Sequence, residues 1–372
     1  MTTRFWFLLA LSGALDLSLL LFVLRFRALR IGLVRLALAL SAGALFAALK
    51  APVFVLAAHS FFFAASLGWT TLVVVTPLTL LHVALRREAT RAVRSVALAG
   101  ALLLPALGWY GTFYEPFRLV EERHDVPIDP RNAPSEPLRI AVLADIQSQE
   151  VDAHLREAVR RAMAFEPHLI VLPGDLIQIA NKERYLAAAP QFRELLAPLA
   201  APLGVYFVIG NTDTPSLVRH ALEGTNVHLL VDETAEVEFA GKRVLIGGAT
   251  IAHWRENLGQ SFSRAFDRRE GDELRILVCH YPSCVEEAEP GRNGFDLAIA
   301  GHTHGGQVVI PGFGPPVTLT SVPRAAAAGG LHIVNGRQLY VSRGVGLERG
   351  TAPRLRFLCP PEVSLLTLRA AD

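Results

Sequence analysis

Six polar residues lie at, or directly after, the ends of short apolar segments beyond residue 138. They are two aspartates, an asparagine and three histidines: Asp145, Asp175, Asn211, His280, His302 and His304. Carboxylate oxygens, amide oxygens and imidazole nitrogens together suit first-row divalent ions such as Mn, Fe or Zn. If the apolar segments are strands of an open α/β sheet, their carboxyl ends would bring these side chains together. The pattern therefore predicts a metal centre.

The most specific motif is the histidine pair in Gly301-His302-Thr303-His304-Gly305-Gly306-Gln307. Two histidines separated by one residue and bracketed by glycines can both turn towards a site that the backbone approaches closely. Gly174-Asp175 and Gly210-Asn211 are weaker signals, because such pairs are common in turns. Together the motifs favour two ions about 3.5–4 Å apart, bridged by one carboxylate, an arrangement suited to phosphoryl displacement.

Alternating apolar and amphipathic segments are expected to position these residues. Strands are predicted at residues 138–144, 168–172, 205–209, 274–279 and 296–300, and helices at residues 151–165, 183–199, 216–223 and 254–267. A hairpin is predicted over residues 237–248 with its turn at Gly241, and the tail is rich in predicted strands. Strands that alternate with helices and lead into hairpins predict a layered α/β domain with mixed sheets.

The first third of the chain has a different composition. Residues 1–118 contain 11 Lys and Arg against 3 Asp and Glu, a net charge of +8, whereas the remainder contains 25 against 31, a net charge of −6. Apolar runs cover residues 5–24, 33–57, 61–85 and 93–114. A helix needs roughly 20 such residues to cross a bilayer. We therefore predict an all-α membrane domain of about four transmembrane helices over residues 1–117.

The basic residues predict the orientation of these spans. Two of the predicted loops carry four arginines each, Arg25, Arg27, Arg30 and Arg35 in the first and Arg86, Arg87, Arg91 and Arg94 in the third, and between them lies only Lys50. Because cytoplasmic loops collect Lys and Arg, the chain after the fourth span is predicted to be extracytoplasmic. Residues 118–137 hold four prolines among charges and are predicted to be an extended linker to a domain over residues 138–372.

Alternatives exist for several of these features. Residues 5–24 could be a cleaved signal peptide, although no small-residue cleavage site follows and more apolar runs come after them. Asp16, His59 and His82 lie in or beside the spans, where a transport role is one reading and helix–helix hydrogen bonding is the favoured one. The acidic remainder of the chain gives no reason to expect nucleic-acid binding.

The chain has three cysteines, Cys279, Cys284 and Cys359, which fit no zinc-site spacing. Cys279 stands beside His280 in a predicted strand, and we expect it to be a small buried apolar residue. An extracytoplasmic location would allow a disulfide, but the sequence does not select the pair.

Motifs across residues 138–368 resemble those of calcineurin-like metallophosphoesterases. They are Ala144-Asp145-Ile146-Gln147, Pro173-Gly174-Asp175, Gly210-Asn211-Thr212-Asp213, Cys279-His280-Tyr281-Pro282, the histidine pair above, and in the tail Leu339-Tyr340-Val341-Ser342-Arg343-Gly344 and Pro360-Pro361-Glu362. The chain looks like the membrane-anchored bacterial branch, which is similar to enzymes that cleave the pyrophosphate of UDP-diacylglucosamine. The resemblance implies a four-layer α/β/β/α sandwich holding two metal ions.

Carried over residue by residue, the resemblance implies two metal sites. The first would be formed by Asp145, Asp175 and His304, with Gln147 at a position where the family usually has a histidine. The second would be formed by Asp175, Asn211, His280 and His302, so that Asp175 bridges the two ions. The family's chemistry is attack by a metal-bridging hydroxide on phosphorus, because two cations lower the pKa of bound water and neutralise the developing charge.

Two positions depart from the family's pattern. Gln147 offers a neutral amide oxygen in place of an imidazole nitrogen, which favours harder ions such as Mn or Mg. Thr212 stands where the family usually has a histidine that resembles a general acid, a role worth roughly 10²- to 10⁴-fold in rate. Asn211, Thr212 and Asp213 are nonetheless expected beside the reacting phosphate, and Asp213, His253 or His228 could supply the proton instead.

Three arginines in the tail loops, Arg324, Arg343 and Arg349, could contact a phosphate, although a solvated surface arginine is the favoured interpretation of each. The sequence as a whole predicts a metal-dependent phosphoesterase with two divalent ions, Mn, Fe or Zn with Mg as an alternative. Its substrate would be a phosphoester or pyrophosphate of a small molecule or a lipid.

The predicted location is the bacterial cell (inner) membrane, as a multi-pass protein with an extracytoplasmic catalytic domain. The alternative is a catalytically weak or inactive relative that binds a phosphorylated ligand and signals through the membrane domain. A transporter with an appended domain is disfavoured, because paired intramembrane charges are lacking.

Overall fold

The computed structural model describes residues 61–250, 272–287, 294–347 and 352–371, together with residues 8, 11–16 and 56. The chain divides into two compact units. One comprises Met1–Tyr114 and Glu348–Arg354, and the other comprises Glu115–Leu347 and Leu355–Asp372.

The first unit contains apolar helices. Helix α1 (Phe61–Thr70) runs through a π-helical turn (Thr71–Val75) into α2 (Thr76–Leu85), and α3 (Arg91–Trp109) begins at Thr90, whose side chain accepts a hydrogen bond from the Val93 amide. Small and branched residues of α2 and α3 pack together, among them Leu80, Val83, Val93 and Ala97. Many leucines on the opposite faces are exposed. A helical pair with an apolar outer surface is typical of a lipid environment.

Two helical stretches, Phe62–Leu85 and Arg91–Phe117, are long and apolar enough to cross a membrane, judged by length and composition. They correspond to the predicted spans at residues 61–85 and 93–114. The predicted spans at residues 5–24 and 33–57 lie largely outside the described residues, as does His59. Asp16 accepts a hydrogen bond from the Thr71 hydroxyl at 2.9 Å, and His82 accepts one from Arg86. These contacts match the hydrogen-bonding interpretation of both residues.

The second unit is built on two six-stranded sheets. The first sheet has the order β1-β12-β2-β3-β4-β5 and the second has the order β10-β11-β9-β8-β7-β6. The strands are β1 (Val120–Ile128), β2 (Leu138–Val142), β3 (Leu169–Leu172), β4 (Val205–Val208), β5 (Val227–Leu230), β6 (Glu233–Phe239), β7 (Lys242–Ala249), β8 (Leu274–Cys279), β9 (Leu297–Ala300), β10 (Gly330–Val334), β11 (Arg337–Val341) and β12 (Glu362–Ala370). Parallel and antiparallel pairs occur in both sheets, as predicted.

Three apolar cores separate the layers of this unit. One core lies between the two sheets and joins residues such as Ile140 and Val171 to Ile276 and Ile299. A second lies between the first sheet and the helices α4 (Ala153–Ala164), α5 (Lys182–Leu196) and α6 (Pro215–Leu222). The third covers the other face of the second sheet with the short helices α7 (Cys284–Glu287) and α8 (Arg324–Ala327). Helices therefore cover both outer faces of a pair of packed sheets.

The predicted elements of this unit are largely confirmed, with ends shifted by a few residues. Short runs of β-branched residues form the buried strands, and the predicted hairpin turns at Gly241. Helix α4 begins where Asp152 accepts a hydrogen bond from the Leu155 amide, and α5 where Asn181 accepts one from the Arg184 amide. Such caps satisfy amides that have no partner within the helix. The helix predicted at residues 254–267 lies outside the described residues.

The segment predicted as an extended linker differs from that expectation. It is extended, but Val120–Ile128 forms β1, which pairs in parallel with β12 over nine residues. Pro127, the one proline within β1, is compatible with this pairing because β1 is an edge strand, where a residue without an amide proton leaves no gap in the ladder. Glu122 of β1 also forms an ion pair with Arg343. The second unit thus includes this strand.

Cys279 and Cys284 form a disulfide that links the end of β8 to the start of α7. Cys279 is buried, as expected, and it is also one half of the disulfide whose pair the sequence did not select. Cys359 is buried and free.

Candidate metal centre

The loops that follow five parallel strands bring the predicted ligands together. Asp145 lies three residues beyond β2, and Asp175 and Asn211 lie three residues beyond β3 and β4. From the second sheet, His280 follows β8 directly, and His302 and His304 follow β9. The site therefore lies where the carboxyl ends of both sheets meet. Asp145, Asp175, His280 and His304 are buried, His302 is half-buried and Asn211 is exposed, so the site opens to solvent at Asn211.

Asn211, His280 and His302 form the tightest cluster. Asn211 Oδ1 lies 2.8 Å from His280 Nε2 and 3.0 Å from His302 Nδ1. The other ring nitrogens face backbone carbonyls, His280 Nδ1 at 2.8 Å from Pro173 O and His302 Nε2 at 3.3 Å from Leu319 O. A carbonyl can only accept, so these outer nitrogens carry the protons. The inner nitrogens then direct lone pairs at the amide oxygen.

Two carboxylates complete the cluster. Ligand atoms of Asp145, Asp175 and His280 all lie within 4.8 Å of one another. Asp175 Oδ2 lies 3.6 Å from His280 Nε2, and the other oxygen accepts a hydrogen bond from the Thr212 amide at 2.9 Å. Asp145 accepts from the His302 amide at 3.0–3.1 Å. The backbone thus orients both carboxylates towards the histidines.

Burial and mutual repulsion shift the titration of these groups. Burial, reinforced by the charge of Asp175, raises the pKa of Asp145 to about 7. Burial lowers the pKa of His302 to about 3 and the pKa of His304 well below its usual value. Burial alone would lower the pKa of His280, but the carboxylates of Asp175 and Asp145 raise it overall. The two buried carboxylates therefore favour a positive charge at this position.

The backbone at these positions is held in an uncommon conformation. Five of the predicted ligands have a positive φ: Asp145 (48°), Gln147 (37°), Asp175 (57°), His302 (71°) and His304 (48°). Residues other than glycine adopt this region rarely, and such strain clusters at functional sites. Neighbouring glycines make the arrangement possible. A Cβ on Gly210 would lie 2.1 Å from Asp175 Oδ1, and one on Gly301 would lie 2.4 Å from Asp145 Oδ2.

The donor set fits divalent metal ions. Lone pairs of two imidazoles and one amide oxygen converge with two carboxylates, and acceptors at 2.8–3.0 Å repel one another unless a proton or cation lies between them. His304 Nδ1 is buried and, within the described part of the chain, has no hydrogen-bond partner. Carbonyl partners that fix the tautomer of a histidine are also typical of metal ligands.

Comparison with known proteins agrees with this geometry. The family model for calcineurin-like phosphoesterases matches residues 138–306. Phosphodiesterase YaeI of Escherichia coli is 31% identical over 274 residues, which cover 70% of this chain and 92% of that protein. The chain belongs to the calcineurin-like metallophosphoesterase family. It is accordingly a hydrolase of the metallophosphoesterase type.

Two further similarities concern proteins of more distant sequence. The chain is 24% identical over 328 residues to UDP-2,3-diacylglucosamine pyrophosphatase LpxG of Chlamydia muridarum, covering 73% of this chain and 96% of LpxG. Among solved structures, a dimetal phosphatase from Danio rerio is 14% identical, with a TM-score of 0.35 over 56% of this chain and 88% of that one.

The remaining predicted site residues differ in their burial and in their hydrogen bonds. Gln147 is buried, and its backbone amide donates to the backbone carbonyl of Asp175 at 2.8 Å. Thr212 Oγ1 is a buried atom without a hydrogen-bond partner among the described residues. His228 is exposed on β5 beside Tyr206, and His253 lies outside the described residues.

Asp213 connects the loop that carries Asp175 to the loop that carries Asn211. Its Oδ2 accepts from the amides of Asp175 and Gly210, both at 2.8 Å, and its Oδ1 accepts from the Leu176 amide at 3.0 Å. Removal from solvent, with the nearby charge of Asp175, raises the pKa of Asp213 to about 6. A carboxylate that accepts three backbone amides is a positioning group. Sequence reasoning placed it at the site but did not identify these contacts.

Two arginines under the site were not recognised in this role from the sequence. Arg343 pairs with Glu362 and Glu122, so its charge is already balanced by carboxylates. Arg356 is fully buried and donates to four backbone carbonyls, those of Cys359, Arg343, Gly344 and Gly346. The Gly346 amide in turn donates to the carbonyl of Asp145 at 2.7 Å. Arg356 thereby supports the loop that holds Asp145.

The other two tail arginines differ in what the structure describes. Arg324 lies over the ring of Phe313 at 4.1 Å, and Arg349 is outside the described residues.

The Arg356 contacts join residues that lie in a loop and have no periodic spacing. The only sequence signal for them is an arginine within an otherwise apolar segment.

Proposed function

We propose that this chain is a membrane-tethered, two-ion phosphohydrolase that cleaves a phosphodiester or pyrophosphate bond. The observation that carries the proposal is the convergence of His280 Nε2 and His302 Nδ1 on Asn211 Oδ1, beside the carboxylates of Asp145 and Asp175. Phosphodiesterase and pyrophosphatase are also the activities in the names of two relatives. The substrate would carry its phosphate on a small molecule or a lipid.

We assign the ligands to two ion positions. One would be held by Asp145, Gln147, Asp175 and His304, and the other by Asp175, Asn211, His280 and His302. The buried, unpartnered Nδ1 of His304 and the inward nitrogens of the other histidines support this assignment. Oxygen ligands from Gln147, Asn211 and the aspartates favour Mn or Mg at least at the first position. Two such ions, when bound, lower the pKa of coordinated water and neutralise charge on the phosphoryl oxygens.

The chain's own residues would orient the substrate and limit its range. Asp213 holds the amides of Asp175 and Gly210, which fixes the loops that carry Asp175 and Asn211. Thr212 has a hydroxyl at the position directly after Asn211, and a hydroxyl cannot act as a strong proton donor. We therefore expect a preference for leaving groups that need no protonation, such as a nucleoside phosphate or an aryl oxide.

The membrane part of the proposal rests on the apolar helices and the loop charges. Two helices could cross a bilayer by length and composition. Under the positive-inside rule, the arginine-rich loops favour an extracytoplasmic position for the residues after 117. The Cys279–Cys284 disulfide supports an oxidising compartment. We propose residues 1–117 as the membrane domain of a multi-pass protein in the bacterial inner membrane.

Metal content and turnover of the purified full-length protein test the function. We expect about two equivalents of Mn by elemental analysis, and Mn-dependent hydrolysis of bis(p-nitrophenyl) phosphate and of a UDP-linked diacylglucosamine. Asp175→Ala and His302→Ala should lose both metal and turnover, whereas His168→Ala, directly before β3 and so at the opposite end of that strand from Asp175, is the matched histidine control. Hydrolysis retained in Asp175→Ala contradicts the bridging role. Bound metal without turnover would favour the alternative of a ligand-binding relative.

A further inference from the structure

The loop after the histidine pair exposes an apolar surface. Four of its side chains, which we call the apolar rim, are 40–56% exposed: Ile310, Phe313, Val317 and Leu319. Scattered apolar residues are common on protein surfaces, but four within ten positions of one loop form a concentrated patch. The rim therefore needs a physical explanation.

The rim is fixed to the metal-ligand loop. His302 Nε2 lies 3.3 Å from the carbonyl oxygen of Leu319, so the same imidazole that faces Asn211 also contacts the end of the rim. Gly306, two residues after His304, lies so close to Pro315 that a Cβ would approach its side chain to 2.4 Å. Both contacts place the Leu319 end of the rim beside the candidate metal centre.

The loop is also rigid. The Ile310 amide donates to Gly314 and the Gly314 amide to Ile310, which closes a tight turn at the tip. The Val309 amide donates to the carbonyl of Phe357, which ties the base of the turn to the C-terminal segment. These hydrogen bonds hold the exposed side chains in place rather than letting them fold back onto the domain.

A positive charge accompanies the apolar tip. The guanidinium of Arg324 lies 4.1 Å from the ring centroid of Phe313, and Arg324 itself is exposed. A cation stacked on an aromatic ring beside aliphatic side chains suits a ligand that joins an anionic group to hydrocarbon. The metal centre next to it would bind the phosphate of the same ligand.

We propose that the apolar rim binds the hydrocarbon chain of a lipid phosphoester or pyrophosphate whose phosphate is cleaved at the adjacent metal centre. This inference rests on the proposed function and names its substrate class. A protein partner is a poorer fit, because stable protein interfaces use roughly 20–30 residues a side and the rim offers four. A lipid chain needs only a narrow apolar surface next to the reacting group.

A series of alkyl p-nitrophenyl phosphodiesters, from ethyl to octyl, tests this proposal with the full-length protein in nanodiscs loaded with Mn. A methylene that the protein removes fully from water is worth up to about fourfold in kcat/KM. Partial contact with the rim should therefore give a rise of at least about tenfold from ethyl to octyl. Ile310→Ser and Phe313→Ser should each reduce this octyl-to-ethyl ratio severalfold.

The matched control is Ile333→Ser, because Ile333 is 76% exposed on β10 and lies outside the rim. Partition of the octyl ester into the nanodisc is the same for every variant, so a lower ratio in the rim variants alone supports the proposal. An octyl-to-ethyl ratio that does not rise with chain length, or that the rim variants retain, overturns the rim proposal. Hydrolysis of the ethyl ester would in that case still uphold the proposed function. Failure to hydrolyse any ester overturns both.

Discussion

Replacement of Asp213 by asparagine tests whether this residue positions the neighbouring loops through backbone hydrogen bonds or donates a proton to the leaving group. The carboxylate accepts two amides at Oδ2 and a third at Oδ1, and the third comes from the buried residue Leu176. An asparagine can keep its oxygen at the Oδ2 position, but its NH2 group would then face the Leu176 amide. The Leu176 amide is left without an acceptor, and the hydrogen bonds from the Asp175 and Gly210 amides then go to a neutral oxygen instead of a charged one.

The size of the effect follows from these contacts. A hydrogen bond to a charged group contributes about 1.5–3 kcal/mol, so the loss of one such bond should destabilise the protein by about 2 kcal/mol. For a domain of this size, each kcal/mol shifts Tm by about 2–4 °C, which gives a decrease of about 4–8 °C. Metal affinity should also fall, because the same bonds fix the loops that carry Asp175 and Asn211.

Three measurements on the full-length protein test this reasoning. They are the thermal midpoint in excess chelator, the Mn affinity by chelator competition, and kcat on phosphodiesters with good and poor leaving groups. As a positioning residue, Asp213 should affect both substrates by the same factor. Asp152→Asn is the matched control, because Asp152 also accepts a backbone amide, at the start of α4, and asparagine caps helices equally well. Unchanged Tm and Mn affinity in Asp213→Asn, with activity lost on poor leaving groups alone, would show that Asp213 is a proton donor and refute the bracing role.

Three further predictions follow from the site. Gly301→Ala should reduce Mn content below half of the wild-type value, since its Cβ would displace Asp145, whereas Gly68→Ala, which likewise lacks a positive φ but has open space around its Cα, should keep its metal; equal Mn content in both variants, by elemental analysis, would contradict this. Thr212→His should leave metal content unchanged and raise kcat on poor leaving groups by about tenfold or more, and an unchanged leaving-group dependence would count against a missing general acid. The raised pKa of Asp145 means that this residue, in the folded, metal-free protein, keeps a proton that the unfolded chain releases. The difference in Tm between the wild type and Asp145→Asn, both in chelator, should therefore shift against the wild type as the pH rises from about 4 to 7, while stabilisation of the wild type by added Mn should grow; a Tm difference that does not change with pH would contradict this.

Much of the catalytic unit was predictable because its strands are short, buried and followed by polar residues. The β8 strand, for example, has the predicted bounds, since five of its six residues are apolar and the strand ends directly before His280. The convergence of the predicted ligands could be anticipated for the same reason, because each follows the end of a strand. Local sequence patterns therefore sufficed to predict the strands that are buried on both faces.

Other features depend on contacts between distant residues. The β1 strand contains five consecutive polar residues, at positions 121–125, and Pro127, so its sequence is typical of a linker, and its partner β12 lies more than 200 residues away. The disulfide between Cys279 and Cys284 depends on the turn between β8 and α7. Arg356 acts through backbone carbonyls, which carry no sequence signature.

The position of β12 in the first sheet has a consequence for synthesis of the chain. This strand comes from residues Glu362–Ala370, yet it lies between β1 and β2, and β1 is at the edge with β12 as its neighbour. During translation, β1 and β2 are made long before β12, which must lie between them. A product that stops before residue 362 would have the loops of the candidate metal centre but would leave the edges of β1 and β2 unpaired. Such products would expose strand edges that aggregate or attract proteases.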